Sequence, residues 1–290
     1  MENPLIAPPL RVLIAFAAPG GLAPLSIGDE LARLDQALAN GGAYSEADWA
    51  YVSTMQVWTG GSTVIGDAVG LSNVYVSRAL SQLELLRKMS DANLPLVNTY
   101  SLLIDSEQKR QAVLNADAPS PCFGARPAWM YRFSQVLQYC QQQQFEQART
   151  EAFAGVDAAP EVAGNIDGKP FSWLTDGDMR FGPCFEIMLN GGYFQLPYSE
   201  VKRIEFEAVE DLRDVVWRPA RLTLKNNAQF IIFMPVRYPI TATTTDEQKL
   251  AKVCDWSSPC ADFYLGQGQR VLISDGAEFA LLNIQVIEFD

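Results

Sequence analysis

A multidomain chain is the fold that this 290-residue sequence predicts, with an all-α N-terminal half and a strand-rich α+β C-terminal half. Three observations predict it. Apolar residues recur at three- and four-residue spacing up to about residue 155. Tight-turn signals flanked by β-prone runs take over after residue 168. A connector containing Gly, Ala and Pro, residues 155–168, lies between them. The expected division is a leader over 1–28, a helical, tetratricopeptide-like domain over 29–155 and an α+β domain over 156–290, a normal partition for this length.

In the helical half, Leu31, Leu34 and Leu38 share one face of a short helix. Ser45-Glu-Ala-Asp48 resembles a capping box ahead of Trp49, Val52 and Met55. The Gly-rich run over 59–67 lacks the Gly-Lys-Ser/Thr of a phosphate-binding loop and reads as a plain loop. Val76, Leu80, Leu83 and Leu86 form the next stripe. Pro95 suits the first turn of a helix whose inner face carries Leu96, Tyr100, Leu103 and Ile104. Pro127 opens another, with Trp129, Phe133, Val136, Leu137 and Cys140 on one face. Phe145, Ala148 and Ala152 continue after a break at residues 141–144. Each helix has one apolar stripe to bury, so antiparallel pairing is expected, although no clean 34-residue repeat is present.

In the second half, Asn190-Gly191 is a strong hairpin signal between residues 185–189 and 192–197, because both turn residues tolerate positive φ. Residues 221–224 and 229–234 flank a second hairpin at Lys225-Asn-Asn-Ala228. Residues 270–273 and 278–289 flank a third at Ser274-Asp-Gly-Ala277. Residues 201–206 add a strand. A strongly bent sheet or partial barrel would accommodate them.

Composition narrows the chemistry. The chain has no histidine, which excludes a Ser-His-Asp triad, a Cys-His dyad and any His-ligated metal. A general acid or base would have to be Asp, Glu, Lys, Tyr or Cys. The net charge of −12 speaks against a phosphate-binding surface and so against nucleic acid. The five cysteines, Cys122, Cys140, Cys184, Cys254 and Cys260, have neither CxxC spacing nor an even count, so they read as reduced thiols of a cytosolic protein; a Cys254–Cys260 bridge is the alternative. No run reaches the ~18 apolar residues of a membrane span, and the N-terminus lacks the basic region of a signal peptide.

The stretch from Ile166 to Tyr198 gathers Asp167, Asp176, Asp178, Glu186 and Arg180 among glycines and aromatics. A carboxylate-based hydrolase would use Asp176 or Asp178 with Glu186, the two aspartates sharing a face if the segment is extended. Asp176-Gly-Asp178 begins like a calcium loop but lacks its later ligands. A structural reading explains more: Asp and Gly make turns, Arg180 pairs with an Asp, and Phe171, Trp173, Tyr193 and Phe194 anchor a core or an interface. By the same logic Arg213 pairs with a carboxylate and Trp217 packs beneath it. No cofactor or metal is called for.

The set Asp167-Gly168, Phe171, Trp173, Asp176, Asp178, Arg180, Gly182-Pro183, Glu186, Asn190-Gly191, Tyr193 and Pro197 resembles the ImpE (TagJ, or SciE-type) accessory proteins of bacterial type VI secretion. The resemblance continues through residues 212–214, Trp217-Arg-Pro219, Arg237-Tyr-Pro239, Trp256 and the glycine-rich turn ending at Arg270. Upstream it takes in Leu83-Glu-Leu-Leu86, Leu94-Pro95, Thr99-Tyr100 and Glu107-Gln-Lys-Arg110. It implies a cytoplasmic, non-enzymatic accessory protein of a Gram-negative bacterium. It further implies that the protein binds a helix of the small subunit of the contractile sheath and is linked to sheath recycling by the AAA+ disassembly ATPase. A groove in the helical half would then be the binding site. A general interaction scaffold with an acidic surface is the remaining alternative.

Overall fold

The computed structural model describes residues 94–290 except 211, 212 and 242, together with Leu80, Leu83, Glu84, Arg87, Lys88 and Asp91. The leader, the expected helices up to Met55, the Gly-rich loop, Val76 and Leu86 lie outside the described residues. Leu80 and Leu83 are helical, and Leu83 is buried.

Among the described residues three long helices precede the sheets: α1 (Leu94–Leu114), α2 (Met130–Gln141) and α3 (Phe145–Ala158). Pro95 sits in the first turn of α1, where a missing N–H costs no helical hydrogen bond. α1 buries Tyr100, Leu103 and Ile104 as expected, but Val97 is buried in place of the expected Leu96, which is only half-buried. The expected stripe of α2 is buried at Phe133, Val136 and Leu137, with Trp129 just ahead of it. The break at 142–144 turns the chain so that α2 and α3 pack together through Phe133, Val136, Ala148 and Ala152, and Arg132 bonds Glu151 across the pair at 2.8 Å. α1 has a different partner: it lies against the sheet hairpin that follows Pro183.

Thirteen strands follow among the described residues: β1 (Gly164–Ile166), β2 (Lys169–Phe171), β3 (Leu174–Asp176), β4 (Cys184–Leu189), β5 (Gly192–Pro197), β6 (Val201–Phe206), β7 (Trp217–Leu224), β8 (Gln229–Pro235), β9 (Cys254–Cys260), β10 (Phe263–Gly268), β11 (Val271–Ser274), β12 (Ala277–Ala280) and β13 (Val286–Phe289). A short helix, α4 (Asp246–Lys249), lies between β8 and β9. Eight strands make one sheet in the open order β2-β1-β13-β6-β7-β8-β4-β5. A three-stranded sheet (β12-β11-β3) and a two-stranded ribbon (β10-β9) complete the α+β half.

The β4–β5 turn is where the sequence places it, with Asn190 at φ 49° and Gly191 at φ 75°. The β7–β8 hairpin also falls as expected. Two readings need correction. The connector is shorter than 155–168: α3 runs to Ala158, and β1 has begun by Gly164. Asp167 (φ 50°) and Gly168 (φ 79°) form the turn of a further hairpin, β1–β2. The second arm of the expected 270–289 hairpin is split. β12 pairs with β11, and after a 3-10 turn β13 crosses into the large sheet between β1 and β6. Ile287 and Phe289 draw it there, because both are buried in the main core.

All five cysteines are free. Cys254 and Cys260 stand at opposite ends of β9. At about 3.3 Å rise per residue they are too far apart for a bridge.

Candidate functional site: a buried ion network at the helix–sheet junction

Glu186 projects from β4 toward α1 and is 1% exposed. Its Oε1 accepts from Arg110 Nε at 2.8 Å and from Tyr193 Oη at 2.7 Å. Its Oε2 accepts from Arg110 Nη2 at 3.1 Å and from Arg270 Nη2. Arg270 stands between β10 and β11, and its Nη1 donates to Asp176 Oδ2 at the end of β3. Asp176 Oδ1 accepts from Tyr238 Oη at 2.9 Å and from the Asp178 backbone N–H at 2.8 Å. One arginine therefore bridges carboxylates on two different sheets. The Arg270 guanidinium also lies 4.5 Å from the Phe181 ring centre and 5.2 Å from that of Tyr238, so two aromatic rings pack against it.

Arg110 extends the network into the helical half. Its Nη1 reaches Glu107 at 3.1 Å, and its Nη2 donates to the Arg237 carbonyl at 2.9 Å. Glu107 Oε2 accepts from Trp217 Nε1 at 3.1 Å. Trp217 packs near Tyr100, over whose ring Arg213 lies at 4.8 Å. A second pair adjoins the first: Arg180 holds Asp178 through both guanidinium and backbone nitrogens, and Asp178 Oδ2 accepts from the Gly266 N–H of the ribbon at 2.8 Å.

Of the ten residues singled out in the sequence, Asp176, Glu186, Tyr193 and Arg270 thus converge directly. Asp178 and Arg180 abut them, and Trp217 joins through Glu107. Asp167 is elsewhere: its carboxylate caps the N–H groups of Gln285 and Val286, fixing the entry to β13. Trp173 is also apart, 38% exposed ahead of β3. Asp178 is not on an extended strand with Asp176, because β3 ends at Asp176 and the chain turns. Glu107, Arg110 and Tyr238 are the members that inspection of charge runs alone passes over. Their signal was their place in the family-like segments 107–110 and 237–239.

Burial pushes the Asp176 carboxyl up, to about 6, against the opposing pull of Arg270. Burial acts on Glu186 in the same direction, but Arg110 and Arg270 together hold it below the usual carboxylate range. Glu107 is held low as well, with Arg110 offsetting its burial. Burial raises Tyr193 and Tyr238 well above the usual phenol range, so both stay neutral donors.

The pH dependence follows from the signs. Glu186 and Glu107 stabilise the fold above their unfolded pKa, and that stability is lost as pH falls through their lowered folded values. Asp176 acts oppositely: its contribution is complete below its unfolded value and is lost as pH rises through about 6. Asp176→Asn should therefore abolish the gain in urea midpoint that the wild-type chain shows on going from pH 7 to pH 5, while the fall below pH 4.5 remains. Parallel curves for the two proteins would contradict this assignment.

The arrangement is a bolt rather than a reacting centre. Asp176, Asp178 and Glu186 are 2%, 0% and 1% exposed, and each spends its oxygens on arginine, tyrosine or backbone donors. A pocket lined by Glu107, Arg110, Arg237 and Tyr238 holds about 20 Å³, room for one water and no substrate. Among the described residues no three acidic or thiol side chains converge as a metal-ligand set.

These features define a class by its fold: a helical segment tied to an α+β body by buried arginine–carboxylate bonds. Residues 168–288 match the ImpE protein family. The type VI secretion system accessory component TagJ of Pseudomonas aeruginosa PAO1 is 35% identical over 215 residues, covering 74% of this chain and 75% of that protein. The chain belongs to the ImpE family. Its fold is also that of the crystal structure of protein VPA1032 from Vibrio parahaemolyticus, with a TM-score of 0.78, 19% identity, and coverage of 91% of this chain and 94% of the other.

Proposed function

We propose that the chain is a non-enzymatic accessory component of a bacterial type VI secretion system. Its identity to TagJ over three quarters of both chains is the observation that carries this reading. In the finer form of the proposal, it binds the N-terminal helix of the small sheath subunit and is linked to the AAA+ ATPase that recycles the sheath. The binding groove belongs to a tetratricopeptide-like domain over 29–155, and residues 156–290 are the body that holds this domain. The proposed location is the cytoplasm of a Gram-negative bacterium; among the described residues no helix is long and apolar enough to cross a membrane.

The saturated network supports an adaptor over a hydrolase. A glycosidase-type pair needs two carboxylates facing a cleft with room for sugar and water, whereas Asp176 and Glu186 are bridged by one arginine in the interior. The test is co-elution on size exclusion with the cognate small sheath subunit, intact and lacking its N-terminal helix. Co-elution with the intact subunit alone is expected. Equal elution of both mixtures as separate proteins would overturn the sheath assignment.

A further inference from the structure

Among the described residues, four dipeptides have the composition that closes most readily into a cyclic imide: Asp167-Gly168, Asp176-Gly177, Asn190-Gly191 and Asp275-Gly276. Each sets an acid or amide side chain beside a glycine nitrogen that no side chain shields. Three of the four are tied down. The Asp167 carboxylate accepts from the Gln285 and Val286 N–H groups at 3.0 and 2.7 Å. Asp176 is buried and bonded to Arg270 and Tyr238. Asp275 accepts from the Ser172 N–H and hydroxyl at 3.0 and 2.7 Å. Asn190 differs: it is exposed at the tip of the β4–β5 hairpin, and its side-chain amide is bonded to no other described residue. It is also the only one of the four whose leaving group is ammonia.

The tip is held closed from α1. Lys109 Nζ donates to the Gly191 carbonyl at 2.5 Å. The Leu102 side chain packs so close that a Cβ on Gly191 would stand 2.9 Å from it. Asn190 and Gly191 have φ of 49° and 75°, and the left-handed region confines Asn190 to ψ of about +30 to +60°. Imide closure requires Asn190 to leave that region, because the Gly191 nitrogen must swing to face the side-chain carbonyl carbon. The reaction therefore waits on opening of the turn.

We propose that Asn190 is a self-modification site, converted to aspartate and isoaspartate through a succinimide, and that the Lys109–Gly191 bond is the latch that sets its rate. The Gly191 nitrogen attacks Asn190 Cγ. The N–Cγ bond forms, the Cγ–Nδ2 bond breaks, and the Gly191 N–H proton departs with the amide as ammonia. Water then opens the ring, at the Cγ carbonyl to give aspartate or at the backbone carbonyl to give isoaspartate. The sequence is redox-neutral. Either product adds a negative charge at the tip, and isoaspartate adds a backbone carbon to a two-residue turn that admits few geometries. Because α1 rests on this hairpin, the altered turn acts on the junction between the helices and the sheet. The inference does not rest on the proposed function.

The test is incubation of the folded wild-type chain and of Lys109→Met at mildly alkaline pH, followed by peptide mapping. Mapping separates Asn190 from Asn40-Gly41, the other Asn–Gly pair of the sequence. Lys109 is exposed, so the substitution leaves the core intact. Loss of one charge-assisted bond should open the tip more often and raise the rate of conversion at Asn190 by about tenfold. Equal rates at Asn190 in the two folded proteins would overturn the inference. So would an Asn190 that stays intact in the folded variant but converts when the same chain is unfolded in urea. Imide formation at Asp167 or Asp275 ahead of Asn190 would overturn it as well.

Discussion

Arg270→Met is expected to lower the unfolding free energy by about 3–5 kcal/mol, read from urea denaturation at pH 7. The cost comes from what is left behind. Asp176 and Glu186 are both buried and share this cation, so its loss strands two carboxylates away from water. Methionine fills much of the same volume, which separates the electrostatic loss from a cavity. The deficit should shrink at pH 5, because Asp176, already raised by burial, is raised further without Arg270 and is relieved by protonation. The surface pair of Arg203 with Glu205 and Glu288 provides the control: each partner is about 40% exposed. Arg203→Met should cost no more than about 1 kcal/mol. Equal small losses at both positions would mean that the buried network does not hold the fold.

Gly182→Ala should cost about 2–4 kcal/mol, measured the same way, from two independent causes. Gly182 has φ 60°, a conformation that alanine adopts only with strain. A Cβ there would also stand within 2.8 Å of three atoms of the Phe133 ring. Phe133 is 1% exposed at the centre of the α2–α3 cluster and cannot yield without disturbing it. The effect would show that the α2–α3 pair seats on the 181–183 turn rather than swinging free. Phe133→Leu should recover part of the loss in the double variant, since it removes the ring the methyl meets.

These two positions also show what the sequence could and could not reveal. The Asn190-Gly191 turn was legible because its chemistry is local: a two-residue loop with positive φ leaves few alternatives. Most of the α1 and α2 stripes were legible for the same reason, with Leu96 and Cys140 the expected members that stay half-buried. The ribbon β9–β10 was not, because Ser257, Ser258 and Pro259 interrupt its apolar pattern and its turn uses Asp262 at φ 54° in place of glycine. The destination of β13 was hidden too, since the choice of Ile287 and Phe289 between two sheets is made by the core. At the site, Asp178–Arg180 could be guessed across two residues. The link from Arg110 to Glu186 spans 76 residues and that from Arg270 to Asp176 spans 94, so no spacing rule finds them. Only the family-like character of the segments containing Arg110, Arg237 and Arg270 pointed there, and it could not say which carboxylate each would meet.

The sheath-adaptor reading is tested most directly by calorimetric titration of the full chain with the N-terminal helix peptide of the cognate small sheath subunit. Saturable binding is expected, weakened when the apolar face of the peptide carries polar substitutions and retained by Asp178→Asn in a folded protein. A flat titration with the peptide, repeated with the intact sheath complex, would contradict it.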